Sequence, residues 1–209
     1  MKRGLFRPCS MIQTELSRMS NPVKSKSLLG EQSLMAVNIL PDIGLLSVRG
    51  DLLANFFKNA FQKVFISDFP EIRKFVVCKE CTIAWMSPDE LLIIMAPMNV
   101  KKVQKKLVAA LNGIHSSVED ISSSREIFQV KGKNVRDAMG KLSPVNFSIN
   151  EFKVGSFRRT RLSQVPAALW MTDQDIIKVM CFKSVSEYTL AILNLSCEPE
   201  GNVDHYSKN

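Results

Sequence analysis

Apolar residues recur along this chain with two periods. Between Asp51 and Val64 the positions Leu52, Leu53, Phe56, Phe57, Ala60, Phe61 and Val64 fall at three- and four-residue spacing. That spacing predicts a helix with one apolar face, and Asp51 reads as its N-cap. A second such run places Val100, Val103, Leu107 and Leu111 on one face and four lysines on the other, with Pro97 suited to its first turn and Asn112-Gly113 to its close. Val135, Ala138, Met139 and Leu142 mark a third helix, and "SVSEYTLAILNL" a fourth, capped by Ser184 or Ser186. The short apolar runs between them predict strands: "LMAVNIL" (34–40), "GLLSVRG" (44–50), one long irregular strand in "IRKFVVCKECTIAW", then "ELLIIMA", "IHSSVEDIS" and "EIFQVKG". "RRTRLSQVPAALW" reads as one strand with a bulge or an edge at Pro166, and "DIIKVMCF" as its partner.

The order strand, helix, strand, turn, strand, helix occurs twice. "SVRGDLLANFF" aligns with "QVKGKNVRDAM", putting Gly50 and Gly132 at 132 − 50 = 82 positions apart. "WMSPDELLIIM" aligns without a gap with "WMTDQDIIKVM", putting the two tryptophans, Trp85 and Trp170, at 170 − 85 = 85. The pattern predicts an α+β fold of duplicated split βαβ (ferredoxin-like) halves. The first lobe spans 34–121 and the second 122–195, with a flexible basic segment over 1–33 and a disordered tail over 196–209. Neither half has enough strand to stand alone, so the two are expected to pack intimately. Repetition at matching places makes Trp85 and Trp170 packing corners rather than a site used twice.

Composition changes this picture little. The 209 residues are 45% hydrophobic and 23% charged, an ordinary globular balance. No stretch approaches the roughly 20 apolar residues of a membrane helix. The net charge of +8 admits nucleic acid, a membrane surface or an acidic protein as partner. Part of it sits in residues 1–18, where Lys2, Arg3, Arg7 and Arg18 face only Glu15. That leader lacks a secretory signal's apolar core. It reads as a presequence, a disordered arm, or an over-long start with Met19 as the true first residue.

The candidate chemistry is sparse. Five cysteines (Cys9, Cys78, Cys81, Cys181 and Cys197) read as reduced thiols. "CKEC" lies in a predicted strand, where residues three apart face opposite sides, so Cys78 and Cys81 are expected neither to chelate nor to bridge. His115 and His205 are isolated, and no nucleotide-binding glycine motif is present. The densest basic patch is "FRRTRL": in a strand Arg159 and Arg161 share a face and Arg158 points away. Such a pair reads as surface charge or internal salt bridges, or as a grip on a carboxylate-rich partner or a pteridine-glutamate tail. An RNA-binding sheet would need exposed aromatics on its central strands, and no such platform is visible.

From Met19 to Leu195 the chain resembles the gamma subunit of bacterial heterotetrameric sarcosine oxidase, and more distantly the folate-binding fold of the aminomethyltransferase T-protein. The stretches that carry this are "GLLSVRGDL", "AWMSPDELLII", "VEDISSSREIFQVKGKNVRDAMGKLSPVNF" and above all "RTRLSQVPAALWM" followed by "VSEYTLAIL". The resemblance implies a two-lobed T-protein-type fold in a bacterial cytoplasmic complex with alpha, beta and delta subunits. It implies oxidative demethylation of sarcosine to glycine, with hydrogen peroxide and methylenetetrahydrofolate as further products. FAD, FMN, NAD and tetrahydrofolate would belong to alpha and beta, and zinc to delta. This chain would carry no catalytic, cofactor-binding or metal residue and bind neither nucleic acid nor membrane. The "TGExGxE"-type motif of folate-active relatives is missing from "WMTDQDIIKVM", and the lysine-glycine-cysteine signature of iron-sulfur-assembly relatives is absent. Arg159, Arg161 and Gln164, in the most specific stretch, are the candidate subunit contacts. A stand-alone folate-binding one-carbon protein is the alternative.

Overall fold

The computed structural model describes residues 35–65, 67, 69–199 and 203–206. The expectations for the basic leader and for Met19 lie outside them. Among the described residues ten strands form two antiparallel five-stranded sheets. Sheet I has the order β1 (Met35–Ile39), β7 (Arg125–Gly132), β10 (Ile176–Phe182), β9 (Val165–Asp173), β8 (Phe157–Leu162). Sheet II has the order β3 (Phe75–Val77), β4 (Cys81–Ser87), β5 (Glu90–Met95), β2 (Gly44–Gly50), β6 (Ser116–Asp120).

Two helices cover the outer face of each sheet. Helices α1 (Asn55–Val64) and α2 (Pro97–Ala110) pack Phe57, Phe61, Val100 and Leu107 against Leu46, Val48, Leu91 and Ile93 of sheet II. Helices α3 (Val135–Leu142) and α4 (Ser186–Ser196) pack Val135, Met139 and Leu193 against Phe128, Val130, Ile177 and Val179 of sheet I. The inner faces meet through Leu45, Ala84, Leu92, Ile127, Phe157, Ala168, Trp170 and Met180. Strands covered on both sides read as continuous apolar runs, which is why "GLLSVRG" and "DIIKVMCF" lack alternation.

The duplication is present, but its lobes are not contiguous in sequence. Strand β1, expected in the first lobe, pairs with β7 of the second, from Met35↔Gly132 to Ile39↔Phe128. Strand β6 fills the same place beside β2, from Gly50↔Ser116 to Leu46↔Asp120. Sheet II therefore takes its last strand from after α2, whereas sheet I takes it from the beginning of the described chain. In each sheet this strand takes the edge position that β7 or β2 would otherwise hold.

Three local expectations differ from the structure. "IRKFVVCKECTIAW" and "RRTRLSQVPAALW" each hold two antiparallel strands rather than one, turning at Lys79-Glu80 and at Ser163-Gln164. Ser163 turns the second with φ 53°. Helix α1 begins at Asn55, because the Asp51 carboxylate accepts the Leu53 N–H (3.0 Å) and closes a preceding turn instead of capping the helix. In the tail, Val203–Tyr206 is docked rather than disordered: Asp137 Oδ1 accepts the backbone N–H groups of His205 (2.7 Å) and Tyr206 (2.9 Å), and the Tyr206 ring lies against Phe147.

The ladders also give the true alignment of the repeats. One row across sheet II runs Phe75–Ala84–Leu92–Ser47–Glu119. The matching row of sheet I runs Phe157–Trp170–Lys178–Gln129–Asn38. Trp170 thus occupies the place of Ala84, at 170 − 84 = 86, not that of Trp85. A one-residue slip in a strand exchanges its faces. Trp170 fills the space between the sheets, while Trp85 packs beneath the helices of sheet II. The reading of the tryptophans as matching corners is therefore corrected: their echo is one residue out of register.

Candidate functional site

The layer between the sheets is apolar in its middle and charged at one end. Strand β2 turns Ser47 and Arg49 to the inner face, and Glu90 opens β5 directly opposite Arg49. The Glu90 side chain is 8% exposed and accepts hydrogen bonds from Ser47 Oγ (2.7 Å) and Arg49 Nη2 (2.9 Å). From the other sheet Arg159 Nη1 approaches the same carboxylate to 3.7 Å. Asp89, in the turn before Glu90, faces Arg49 at 3.8 Å. The Ser87 hydroxyl bonded to Asp89, with Arg49 and Arg159 nearby, holds that carboxyl below its ordinary value.

Beside this cluster lies a cleft of about 450 Å³ between the β4–β5 hairpin of sheet II and β8 of sheet I. Arg73, Arg158, Arg159, Trp85, Phe157 and Glu151 are among its lining residues. Next to its lining residues Arg73 and Phe157 a short antiparallel bridge, Lys74↔Ser156, joins the sheets: the Phe157 N–H donates to Arg73 O (2.8 Å) and the Phe75 N–H to Gly155 O (3.2 Å). Lys74 and Ser156 are themselves equivalent, at 156 − 74 = 82, so the two repeats meet here through the same position. Arg73 and Gly155, also 82 apart, both have positive φ, 62° and 90°. Arg158 donates to Arg73 O (3.1 Å) and Phe157 O (2.8 Å) and lies over the Phe152 ring, and burial lowers its pKa. Three guanidinium groups against one carboxylate suit recognition of an anion or an acidic peptide rather than acid–base work.

The candidate contact residues fall as the strand pattern implies. Arg159 and Arg161 are exposed on the inner-facing side of β8, and Gln164 is exposed at the β8–β9 turn. Arg158 points the other way, against Phe152. Arg159 is already engaged by Glu90, whereas Arg161 and Gln164 project beyond the cluster.

Two other side chains organise the neighbourhood without any sequence signal. Arg136, in α3, is buried and donates to the carbonyls of Phe147 (2.6 Å) and Phe152 (2.9 Å) and to Gln174 Oε1 (3.1 Å). It pins the loop that forms one wall of the cleft. Asp137 beside it holds the docked tail. Both sit in a short helix whose apolar spacing drew attention to Val135 and Met139 instead. A buried arginine satisfied by carbonyls leaves no periodicity to read.

The cysteine pair is also placed differently from expectation. Because β3 and β4 form a hairpin, Cys78 and Cys81 stand opposite each other across Lys79-Glu80, and the Cys78 N–H donates to Cys81 O (2.7 Å). His115 and His205 are exposed, and among the described residues no group of three or more His, Cys, Asp or Glu side chains is placed to hold a metal ion.

Two antiparallel sheets face to face, helices outside and a shared repeat, define a T-protein-type body. A solved aminomethyltransferase T of the glycine cleavage system from Bartonella henselae superposes with a TM-score of 0.57 at 10% identity, over 76% of this chain and 45% of that one. A chain of the heterotetrameric sarcosine oxidase from Corynebacterium sp. U-96, solved with pyrrole 2-carboxylate, superposes with a TM-score of 0.73 at 19% identity, over 81% of this chain and 86% of that one. The chain belongs to the sarcosine oxidase, gamma subunit family, whose profile matches residues 49–198. The sarcosine oxidase subunit gamma of Corynebacterium sp. strain P-1 is 29% identical over 108 residues, 52% of each chain. The aligned region thus spans about half the length of that relative.

Proposed function

We propose that this chain is the gamma subunit of a heterotetrameric sarcosine oxidase and serves it as a non-catalytic scaffold. The observation that carries the reading is family membership over 49–198, supported by the superposition on a sarcosine oxidase chain. In this reading alpha, beta and delta subunits hold FAD, FMN, NAD, tetrahydrofolate and zinc. The complex demethylates sarcosine to glycine in a bacterial cytoplasm and releases hydrogen peroxide and methylenetetrahydrofolate. No helix among the described residues is long and apolar enough to cross a membrane.

Two features of the chain favour a docking role. Large apolar side chains are exposed at Leu53 (78%), Phe56 (56%), Ile72 (68%) and Met98 (82%), and obligate interfaces are more apolar than a free surface. The arginine-lined end of β8 gives a second, polar contact, with Arg159, Arg161 and Gln164 as its residues.

The alternative, independent folate binding, finds little room. At the β9–β10 hairpin, where folate-active relatives would place their motif, Trp170 and Met171 are 2% and 0% exposed and Gln174 is engaged by Arg136. Affinity capture of the tagged chain, co-expressed with its three partners, is expected to recover a yellow, flavin-containing complex. Recovery of the chain by itself would end the proposal. Calorimetric titration of the isolated chain with tetrahydrofolate is expected to show no heat of binding, and saturable binding would favour the alternative.

A further inference from the structure

The cysteines at the β3–β4 turn form a small, separate chemical site. Extending the ladder Val77↔Thr82 by one step sets Cys78 directly against Cys81. Opposed residues of an antiparallel pair have Cα atoms about 4.5–5.5 Å apart, within the range a disulfide spans. Both side chains are half-buried and both thiols are free. Cys78 Sγ also lies 3.1 Å from Ser67 Oγ.

We infer that Cys78 and Cys81 are a dithiol site for hydroperoxides, in which Cys78 is the thiol that attacks the peroxide and Cys81 the one that resolves the oxidised sulfur. In the first step the Cys78 thiolate attacks one oxygen of hydrogen peroxide; the S–O bond forms, the O–O bond breaks, and hydroxide leaves. The sulfur is oxidised by two electrons to a sulfenic acid. In the second step the Cys81 sulfur attacks the Cys78 sulfur; the S–S bond forms, the S–O bond breaks, and the hydroxide takes the Cys81 proton away as water. The sum is two thiols and one peroxide giving one disulfide and two waters.

The environments of the cysteines support the division of labour. Hydrogen bonding with the Cys81 thiol and, 3.1 Å away, with the Ser67 hydroxyl holds the Cys78 thiol below its ordinary value, at about 7. Donation to Cys78, with burial, pushes Cys81 up. Burial likewise pushes up Cys181 and Cys197, so they serve as internal controls. The peroxide of an oxidase complex is a natural oxidant, and only that source rests on the reading proposed above; the dithiol chemistry stands without it.

The test uses the purified full chain in a Cys9→Ser background with added hydrogen peroxide at pH 7, independent of any oxidase activity. Peptide mass spectrometry is expected to show a 78–81 disulfide, about 2 Da lighter than the dithiol, forming roughly tenfold faster than oxidation at Cys181 or Cys197. Cys81→Ser is expected to accumulate a dimedone-trapped sulfenic acid on Cys78. Cys78→Ser is expected to slow peroxide consumption to the rate of the buried thiols. Equal oxidation of all four cysteines, or an unreacted Cys78 when Cys181 and Cys197 have been oxidised, would overturn the inference.

Discussion

Arg159 of one sheet and Glu90 of the other stand 3.7 Å apart across the gap between the repeats. The contact unites them because Glu90 is buried and already anchored to Ser47 and Arg49 of its own sheet. Its worth lies mainly on the carboxylate side. Glu90→Ala strips Ser47 and two arginines of their acceptor and is expected to cost about 2 kcal/mol in a urea titration. Arg159 is 58% exposed, so Arg159→Ala is expected to cost no more than about 1 kcal/mol. Equal costs would mean that the carboxylate is not the anchor.

The tryptophans separate by the same test. Trp170 is 2% exposed between the sheets, so Trp170→Ala is expected to cost about 3–5 kcal/mol. Trp85 is only partly buried, and its replacement by Ala is expected to cost less than half as much. Matching losses in thermal or chemical unfolding would restore the equivalence that the ladders deny.

Position 73 carries a left-handed residue for which its repeat partner uses glycine. A Cβ on Gly155 would meet nothing within 4 Å, so the penalty of Gly155→Ala is conformational, about 1 kcal/mol. The reverse change, Arg73→Gly, relieves the φ of 62° and is expected to leave stability unchanged or raised, though it also removes a cationic side chain from the cleft. A clear loss on Arg73→Gly would show that the arginine side chain outweighs its backbone strain.

Lys178 replaces the Leu92 of the first repeat in the layer between the sheets. Burial lowers its pKa from the ordinary 10.5. The unfolded chain therefore binds the proton more tightly, and stability rises with pH from the lowered folded value up to 10.5. Lys178→Met is expected to raise stability at pH 7 by about 1 kcal/mol and to flatten that rise. A less stable variant with the same pH slope would place the ammonium in a favourable contact.

The helices, most strands and the duplication were legible because apolar spacing reports which face is covered. Two kinds of information were not. The partner of β1 lies 132 − 35 = 97 residues away, and "LMAVNIL" carries no mark of which sheet it joins. Local similarity also misled where a two-residue match, Trp-Met, outweighed the ladder register. In the cleft, Arg159 and Arg161 were readable from strand alternation. Glu90, Arg73 and Arg136 were not, since each takes its role from a distant neighbour: Arg159, Phe157 and the carbonyls of the loop at 147–152. The hairpin that opposes Cys78 and Cys81 was hidden because "VVCKECT" has no glycine, proline or asparagine to announce a turn.

Whether this body is a scaffold within an oxidase is decided most directly by native mass spectrometry of the four chains co-expressed. The expected result is one assembly holding one copy each of this chain and of the alpha, beta and delta subunits, weakened by Arg161→Glu while the isolated variant stays folded. A complete three-subunit oxidase beside a free, folded copy of this chain would contradict it.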